Sequence, residues 1–316
     1  MRIFENANYN FIKWRWHAVI LSIGLVWAGV ATTYFRGGLP LGIDFTGGTA
    51  VVLEFKAPVG EEAVRNALGA LGQDAVVQRY GEASRNQILV RVPLAAGAEQ
   101  DLSTSDTRVE QAIRAANLGE FTPGSKDIVG PVIGKDLQRK GVWATLTALA
   151  GILVYVGIRF RFTFAVGAVV ATFHDLLITL CFLVWFGYDI SLNVVAAVLT
   201  IAGYSVNDTI VVFDRVRENQ RIMRREPLDE IVNKSVNQTL GRTVITSGTT
   251  MLAVLALYVL GGEVLRGFAF TMIIGIITGT YSTVFIAAAI AIILSRRPET
   301  TQAAGRPQPQ PRAKRA

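Results

Sequence analysis

The sequence predicts an α-helical polytopic membrane protein with six transmembrane helices and a small α+β domain of ferredoxin-like order inserted between the first and second helices. Three observations lead there. Of the 316 residues, 51% are hydrophobic and only 17% are charged, too apolar a composition for a soluble chain of this length. Six apolar stretches are long enough to cross a bilayer, which takes about 20 helical residues. Between the first two lies a polar segment of about a hundred residues with alternating strand and helix patterns, enough for a domain of its own.

The apolar stretches fall near 16–35, 142–158, 162–186, 190–213, 244–262 and 267–295. The second is the shortest, and the last is long enough to tilt. The apolar core of the first, "HAVILSIGLVWAGVATTYF", exceeds a signal-peptide core and has no small-x-small cleavage site, so it reads as a retained anchor. Basic residues fix the orientation. Arg2, Lys13 and Arg15 precede the first helix, Arg159 and Arg161 join the second to the third, and a basic run from Arg215 to Arg242 joins the fourth to the fifth. On the other side "GYDIS" has no basic residue and "GGEVLRG" only Arg266. Both termini are therefore expected in the cytoplasm and the inserted domain on the outer face. The net charge of +7 follows from this bias and calls for no nucleic-acid partner.

The expected layout is a cytoplasmic tail at 1–15, the first helix at 16–35, the outer α+β domain at 36–141 and a five-helix bundle at 142–295. The bundle includes a cytoplasmic amphipathic segment at 214–243, and 296–316 forms a disordered tail rich in Pro, Gln and Arg. In the outer domain "TAVVLEFKA", "AVVQRY" and "NQILVRVPL" read as strands. "GEEAVRNALGALG" is helical with Val64, Leu68 and Leu71 on one face, and "STSDTRVEQAIRAAN" is a second helix capped by Thr104 or Ser105. "DIVGPVIG" returns to the membrane. The resulting β-α-β-β-α-β order is ferredoxin-like. The domain shows no catalytic cluster, which points to a binding or mechanical role. In the cytoplasmic segment Pro227 opens a helix on which Leu228, Ile231, Val232, Val236 and Leu240 recur at helical spacing. That helix lies along the membrane surface or packs under the bundle.

Polar residues inside the apolar spans point to chemistry. On the fourth helix Asn193, Ala196, Ala197, Thr200, Gly203, Tyr204, Asn207 and Asp208 share a face. Close helix packing accounts for Ala196, Ala197 and Gly203. It does not account for Asp208, because a carboxylate in hydrocarbon costs several kcal/mol, about 3 on insertion scales. On the fifth helix Arg242, Thr246, Thr249, Thr250 and Ala253 share a face. Arg242 either pairs with Asp208 or snorkels as an anchor, and Thr246 and Ser247 sit deeper as hydrogen-bond partners for Asp208. Gly275 and Gly279 on the sixth helix suit close packing. His174 and Asp175 lie mid-span on the third helix, either bonding a neighbouring helix or taking part in proton movement. The single cysteine, Cys181, allows no disulfide, and His17 and His174 have no zinc spacing. No cofactor or metal is expected. Desolvation favours the neutral form of a carboxyl group and a nearby guanidinium the charged form. An Asp208–Arg242 contact that forms and breaks would therefore act as a proton switch.

Three motifs carry a resemblance: "GIDFTGGT" at 42–49, "HD" at 174–175 and "GYSVNDTIVVFDRVREN" at 203–219. With the one-plus-five helix layout, the chain resembles the SecF family, whose members partner SecD in bacterial protein secretion. The resemblance implies half of an RND-type transporter, paired with SecD in a twelve-helix unit of the inner membrane. It also implies proton-gradient-driven assistance to polypeptide export alongside the SecYEG channel, with a YajC-like accessory subunit as a further partner. The family's proton-carrying aspartate falls on Asp208, beside Asn207. Its arginine falls on Arg242 and the following hydroxyl positions on Thr246 and Ser247. Gly42, Asp44, Gly47, Gly48 and Gly203 are read as structural, with Gly47–Gly48 suiting a bend. No P-loop pattern is present, so nucleotide use belongs elsewhere. An intramembrane aspartyl protease is disfavoured, since neither aspartate sits in that chemistry's motifs, and the outer domain is too small for half of a small-molecule exporter. A passive scaffold for SecD or the channel remains the rival to a proton-driven part.

Overall fold

The computed structural model describes residues 4, 7–69, 75–80, 85–92 and 102–295. Among these, six helices are long and apolar enough to cross a membrane. A 3₁₀ turn at Ile12–Trp14 runs into α1 (Arg15–Phe35), and the short α2 (Ile43–Thr46) opens the inserted domain. The bundle continues with α5 (Pro131–Arg159), α6 (Phe162–Phe186), α7 (Leu192–Ile222) and α8 (Leu228–Leu260). It closes with α9 (Gly262–Ser282), a π turn at Thr283–Ala287 and α10 (Ala288–Ser295).

Between α2 and α5 lie β1 (Gly48–Phe55), α3 (Glu61–Gly69), β2 (Val76–Tyr80), β3 (Gln87–Val92), α4 (Leu102–Ala115) and β4 (Phe121–Val129). The sheet order is β2-β3-β1-β4 with every neighbour antiparallel, the expected ferredoxin-like arrangement. Alternate residues Val51, Leu53 and Phe55 of β1 face the helices and pack on Val64, Leu68, Val109 and Ile113, as the two-residue period of a strand requires. Leu71 lies outside the described residues. The helix α4 begins at Leu102, so Thr104 and Ser105 sit within its first turn and are not its cap. Amides of a first turn have no intrahelical acceptor, so Ser and Thr are tolerated there.

The membrane helices are longer than the apolar stretches that announced them. The fourth passes Phe213 and runs unbroken to Ile222, and the fifth already begins at Leu228. The segment 214–243 is thus no separate surface layer but two helix extensions joined by a turn. Ile231, Val232 and Val236 are buried against Phe213 and Val216, so the apolar face of this segment packs under the bundle. Burial is uneven across the helices. Two thirds of the apolar window of the last helix (67%) and half of that of α6 (50%) are covered within the chain, against 11% for α5 and 11% for α8. The core therefore lies on α6, α7, α9 and α10, and α8 meets its surroundings with most of its surface.

Candidate functional site

Two carboxylates stand inside the bundle. Asp175, on α6, is fully buried. Its Oδ1 lies 2.9 Å from His174 Nδ1, and its Oδ2 accepts hydrogen bonds from Ser205 of α7 and, at 2.7 Å, from Ser282 of α9. One carboxylate thereby ties three helices together. Glycines allow the close approach that this requires. A Cβ on Gly275 would stand 2.3 Å from Ile201 Cδ1, and one on Gly279 would stand 3.2 Å from Ser205 Cβ, so the packing expected at both is present. His174 Nε2 is buried without a hydrogen-bond partner. Both oxygens of Asp175 are engaged, by His174 on its own helix and by Ser205 and Ser282 on its neighbours.

Asp208 is served differently. It sits on α7, half-buried, and its Oδ1 accepts a 2.7 Å hydrogen bond from Thr243 of α8. Its Oδ2 is buried and has no hydrogen-bond partner. Thr283 of the π turn is close by, with its hydroxyl bonded to Thr209 at 3.0 Å. The hairpin of α7 and α8 sets this meeting. Asn219 of α7 donates to Ser235 and Gln238 of α8 at 2.8 Å each, and this fixes the register that brings Thr243 opposite Asp208.

Several expected partners stand elsewhere. Arg242 is exposed, and its charge is felt at Asp208, but no salt bridge joins the two. Thr246 returns its hydroxyl to the carbonyls of Arg242 and Thr243, at 3.0 and 3.1 Å, as helical threonines commonly do. Ser247 pairs with Thr280 of α9 at 3.0 Å. Asn207 faces outward. Gly203 is exposed too, with open space where a Cβ would lie, and Ala196 is exposed, so neither packs within this chain as expected. The single stripe anticipated on the fourth helix divides into two. Ala197 is buried and Tyr204 and Asp208 are half-buried, while Asn193, Ala196, Thr200, Gly203 and Asn207 face out beside the exposed Arg242, Thr246 and Thr249 of α8.

The "GIDFTGGT" segment forms a clasp on the N-terminal end of α7. Gly42 N donates to Ile190 O at 2.8 Å, and Ile190 N donates to Pro40 O at 2.7 Å. Asp44 Oδ2 accepts from Leu192 N at 2.8 Å, so it caps the helix that carries Asp208. Ser191 adds the usual N-cap, accepting from Val194 N at 3.3 Å. The bend after Asp44 needs its glycines, since Gly47 and Gly48 have φ of +71° and +137°. Gly134 of α5 packs so tightly here that a Cβ would stand 2.9 Å from Gly47 N. A second tie is the ion pair of Arg91 on β3 with Asp189 in the α6–α7 turn, both mostly buried. Burial raises the Asp189 carboxyl above its ordinary 3.8, and the Arg91 charge opposes that rise. Asp44, Arg91 and Asp189 were not legible as a set, because each contact spans a long sequence distance that no periodicity records.

Comparison with known proteins places these features together. A family model described as protein export membrane protein SecD/SecF, C-terminal, matches residues 108–297, and one described as SecD/SecF GG motif matches residues 35–59. The chain belongs to the SecD/SecF family. The protein translocase subunit SecF of Rhodothermus marinus is 45% identical over 94% of this chain and 96% of its own length. That of Escherichia coli O157:H7 is 40% identical over 92% of this chain and 89% of its own length. Among solved structures, a crystal structure of SecDF, a translocon-associated membrane protein of a Thermus species, superposes with a TM-score of 0.81 at 36% identity. That match covers 94% of this chain and 40% of the SecDF chain. SecDF in a super-membrane-facing form matches with a TM-score of 0.65 at 37% identity. The chain thus spans about two fifths of the solved SecDF chains it matches. The GG-motif match contains the clasp, and the other contains both carboxylates.

Proposed function

We propose that this chain is the SecF-type accessory subunit of a bacterial Sec translocase, and that it uses proton binding at Asp208 to assist polypeptide export. The observation that carries this reading is the buried, unpartnered Oδ2 of Asp208. A charged oxygen without a donor is costly in a medium that cannot hydrogen-bond, and protonation removes that charge. Arg242 stands within electrostatic reach but unpaired, so movement of α8 decides whether the ionised form finds a counter-charge. Each proton falling through about 100 mV releases about 2.3 kcal/mol, enough for one modest helix displacement. Asp208 lies sixteen residues beyond Leu192, about 24 Å along α7 at 1.5 Å per residue. The Asp44 clasp and the Arg91–Asp189 pair then pass a shift of α7 to the sheet.

The exposed polar face of α7 and α8 supports a second six-helix unit as its cover. In this proposal that unit is SecD, with the SecYEG channel, a YajC-like subunit and the translocating polypeptide as further partners. The basic ends of the helices support an inner-membrane orientation with both termini cytoplasmic and the sheet on the periplasmic side. The coupling ion is the proton, with no other cofactor. The uncovered polar face alone would also suit a passive scaffold. The deciding experiment is Asp208→Asn in cells depleted of the native subunit, scoring export of a secreted reporter with SecD co-purification held constant. Lost export supports proton coupling, and retained export supports the scaffold.

A further inference from the structure

At the end of the bundle away from the sheet, the α5–α6 turn, the last turns of α7 and the start of α8 enclose an open cavity of about 770 Å³. That is within the ordinary range for ligand sites, about 300–1,000 Å³. Arg159, Arg161, Arg217, Arg221 and Arg224 line it, with Glu226 the acidic member of the wall. Arg159 is bound to Asp214 at 2.8 Å and lies over the Phe160 ring at 5.2 Å. Among the described residues Arg161, Arg217 and Arg221 form no ion pair, and Arg224 donates only to the Arg221 carbonyl, at 3.2 Å. A positive-inside bias alone would disperse these cations round the bundle. Instead, arginines from two connecting turns and one helix end converge on a single hollow. Its floor is apolar, made by Phe160, Phe164, Met223 and Leu228. Beside it Ile158, Phe162 and Ile222 project outward, 83%, 81% and 72% exposed, which places the hollow at the edge of the apolar belt.

A cationic rim over an apolar floor at that level fits an amphiphile with an anionic head. We propose that this cavity binds an anionic phospholipid, with its phosphate held by Arg217, Arg221 and Arg224 and the upper part of its acyl chains laid over Phe160 and Leu228. Arginine suits the task because its fork of donors matches phosphate oxygens. Such a lipid would pin the α5–α6 turn to the foot of the α7–α8 hairpin, the pair of helices between which Asp208 and Thr243 meet. The site stands apart from the proton reading, since none of its groups touches Asp208.

The test is native mass spectrometry of the full-length chain in neutral detergent, titrated with phosphatidylglycerol, with phosphatidylcholine of the same acyl chains, and with inorganic phosphate. The expected result is a one-to-one phosphatidylglycerol adduct that phosphatidylcholine does not form and phosphate does not displace. The triple variant Arg217→Gln, Arg221→Gln, Arg224→Gln should bind it about a hundredfold more weakly, at the scale of one arginine contribution each. Lys135→Gln with Arg139→Gln, exposed near the other end of α5, should leave binding unchanged. Should the triple variant fail to fold, Arg217→Gln alone should weaken binding about fivefold. Equal retention of the two lipids, or unchanged binding in the folded arginine variants, would overturn the lipid site. Displacement by phosphate alone would reduce it to a free-anion site and overturn it as well.

Discussion

Asp175 and Asp208 lie in the same helix bundle, and the surrounding helices treat their oxygens in opposite ways. Asp175 is enclosed by His174, Ser205 and Ser282. Asp208 accepts a hydrogen bond from Thr243, the Thr283 hydroxyl lies close by, and its Oδ2 is buried without a well-formed hydrogen bond. A buried polar group with all its partners made rigidifies a structure, whereas one left short is sensitive to any change in its charge. The contrast separates two roles that the sequence presents alike. Asp175 joins three helices, whereas Asp208 is held by Thr243 with Thr283 close by and the exposed Arg242 within electrostatic reach, and it is to Asp208 that the proposal assigns the proton.

Substitutions can break this contrast. The largest effect should come from Asp208→Asn, which keeps the acceptor for Thr243 but cannot ionise. Gradient-dependent export of a secreted reporter should fall at least about tenfold, or about 1.4 kcal/mol in rate terms, with unfolding temperature and SecD co-purification unchanged. Asp175→Ala should act on the fold instead. It strands the buried Ser205 hydroxyl and the His174 imidazole and leaves Ser282 only its bond to the Gly279 carbonyl, costing about 3 kcal/mol on the scale of unsatisfied buried groups, read as a lower thermal midpoint of the purified chain. Arg91→Ala should come next, leaving Asp189 without its cation. About 2 kcal/mol of docking should be lost, less than for a fully buried pair because both side chains keep some contact with water. Faster proteolysis of the links around the sheet should report it, and Arg91→Gln with Asp189→Asn should recover part of the loss.

The smallest effect belongs to the inserted sheet domain. Lys126 lies 3.0 Å from Asp106 and 2.7 Å from Glu110, and its hydrogen bond holds the Asp106 carboxyl below its ordinary 3.8. A depressed carboxyl stabilises the fold above its unfolded value and loses that contribution as the pH falls through the folded one. Protection factors in α4, corrected for the intrinsic pH dependence of amide exchange, should therefore fall slightly on acidification, and Asp106→Asn should remove that acid sensitivity.

The six spans were legible because a bilayer demands unbroken apolar runs, and hydropathy reads only that demand. It could not find the true end of α7 at Ile222, because beyond the hydrocarbon the helix is held by its contacts with α8, such as Asn219 to Ser235. The ferredoxin-like sheet followed from strand and helix order. Asp208 stood out as a carboxylate in an apolar run. Its donor Thr243 did not, since adjacent residues on a helix point about 100° apart, and a face counted from Arg242 misses the next position. Which face meets α7 is decided by the hairpin register. Ala196 and Gly203 were read as packing, although both are exposed, because a sequence cannot tell a face buried in its own chain from one presented to another.

The most direct measurement is an infrared titration of the full-length chain in lipid, following the protonated-carboxyl stretch in the wild type, Asp208→Asn and Asp175→Asn. A carboxyl band that rises on acidification, vanishes in Asp208→Asn and persists in Asp175→Asn is the predicted result. A band that survives Asp208→Asn and disappears with Asp175→Asn would contradict the assignment and move the proton site to the three-helix junction.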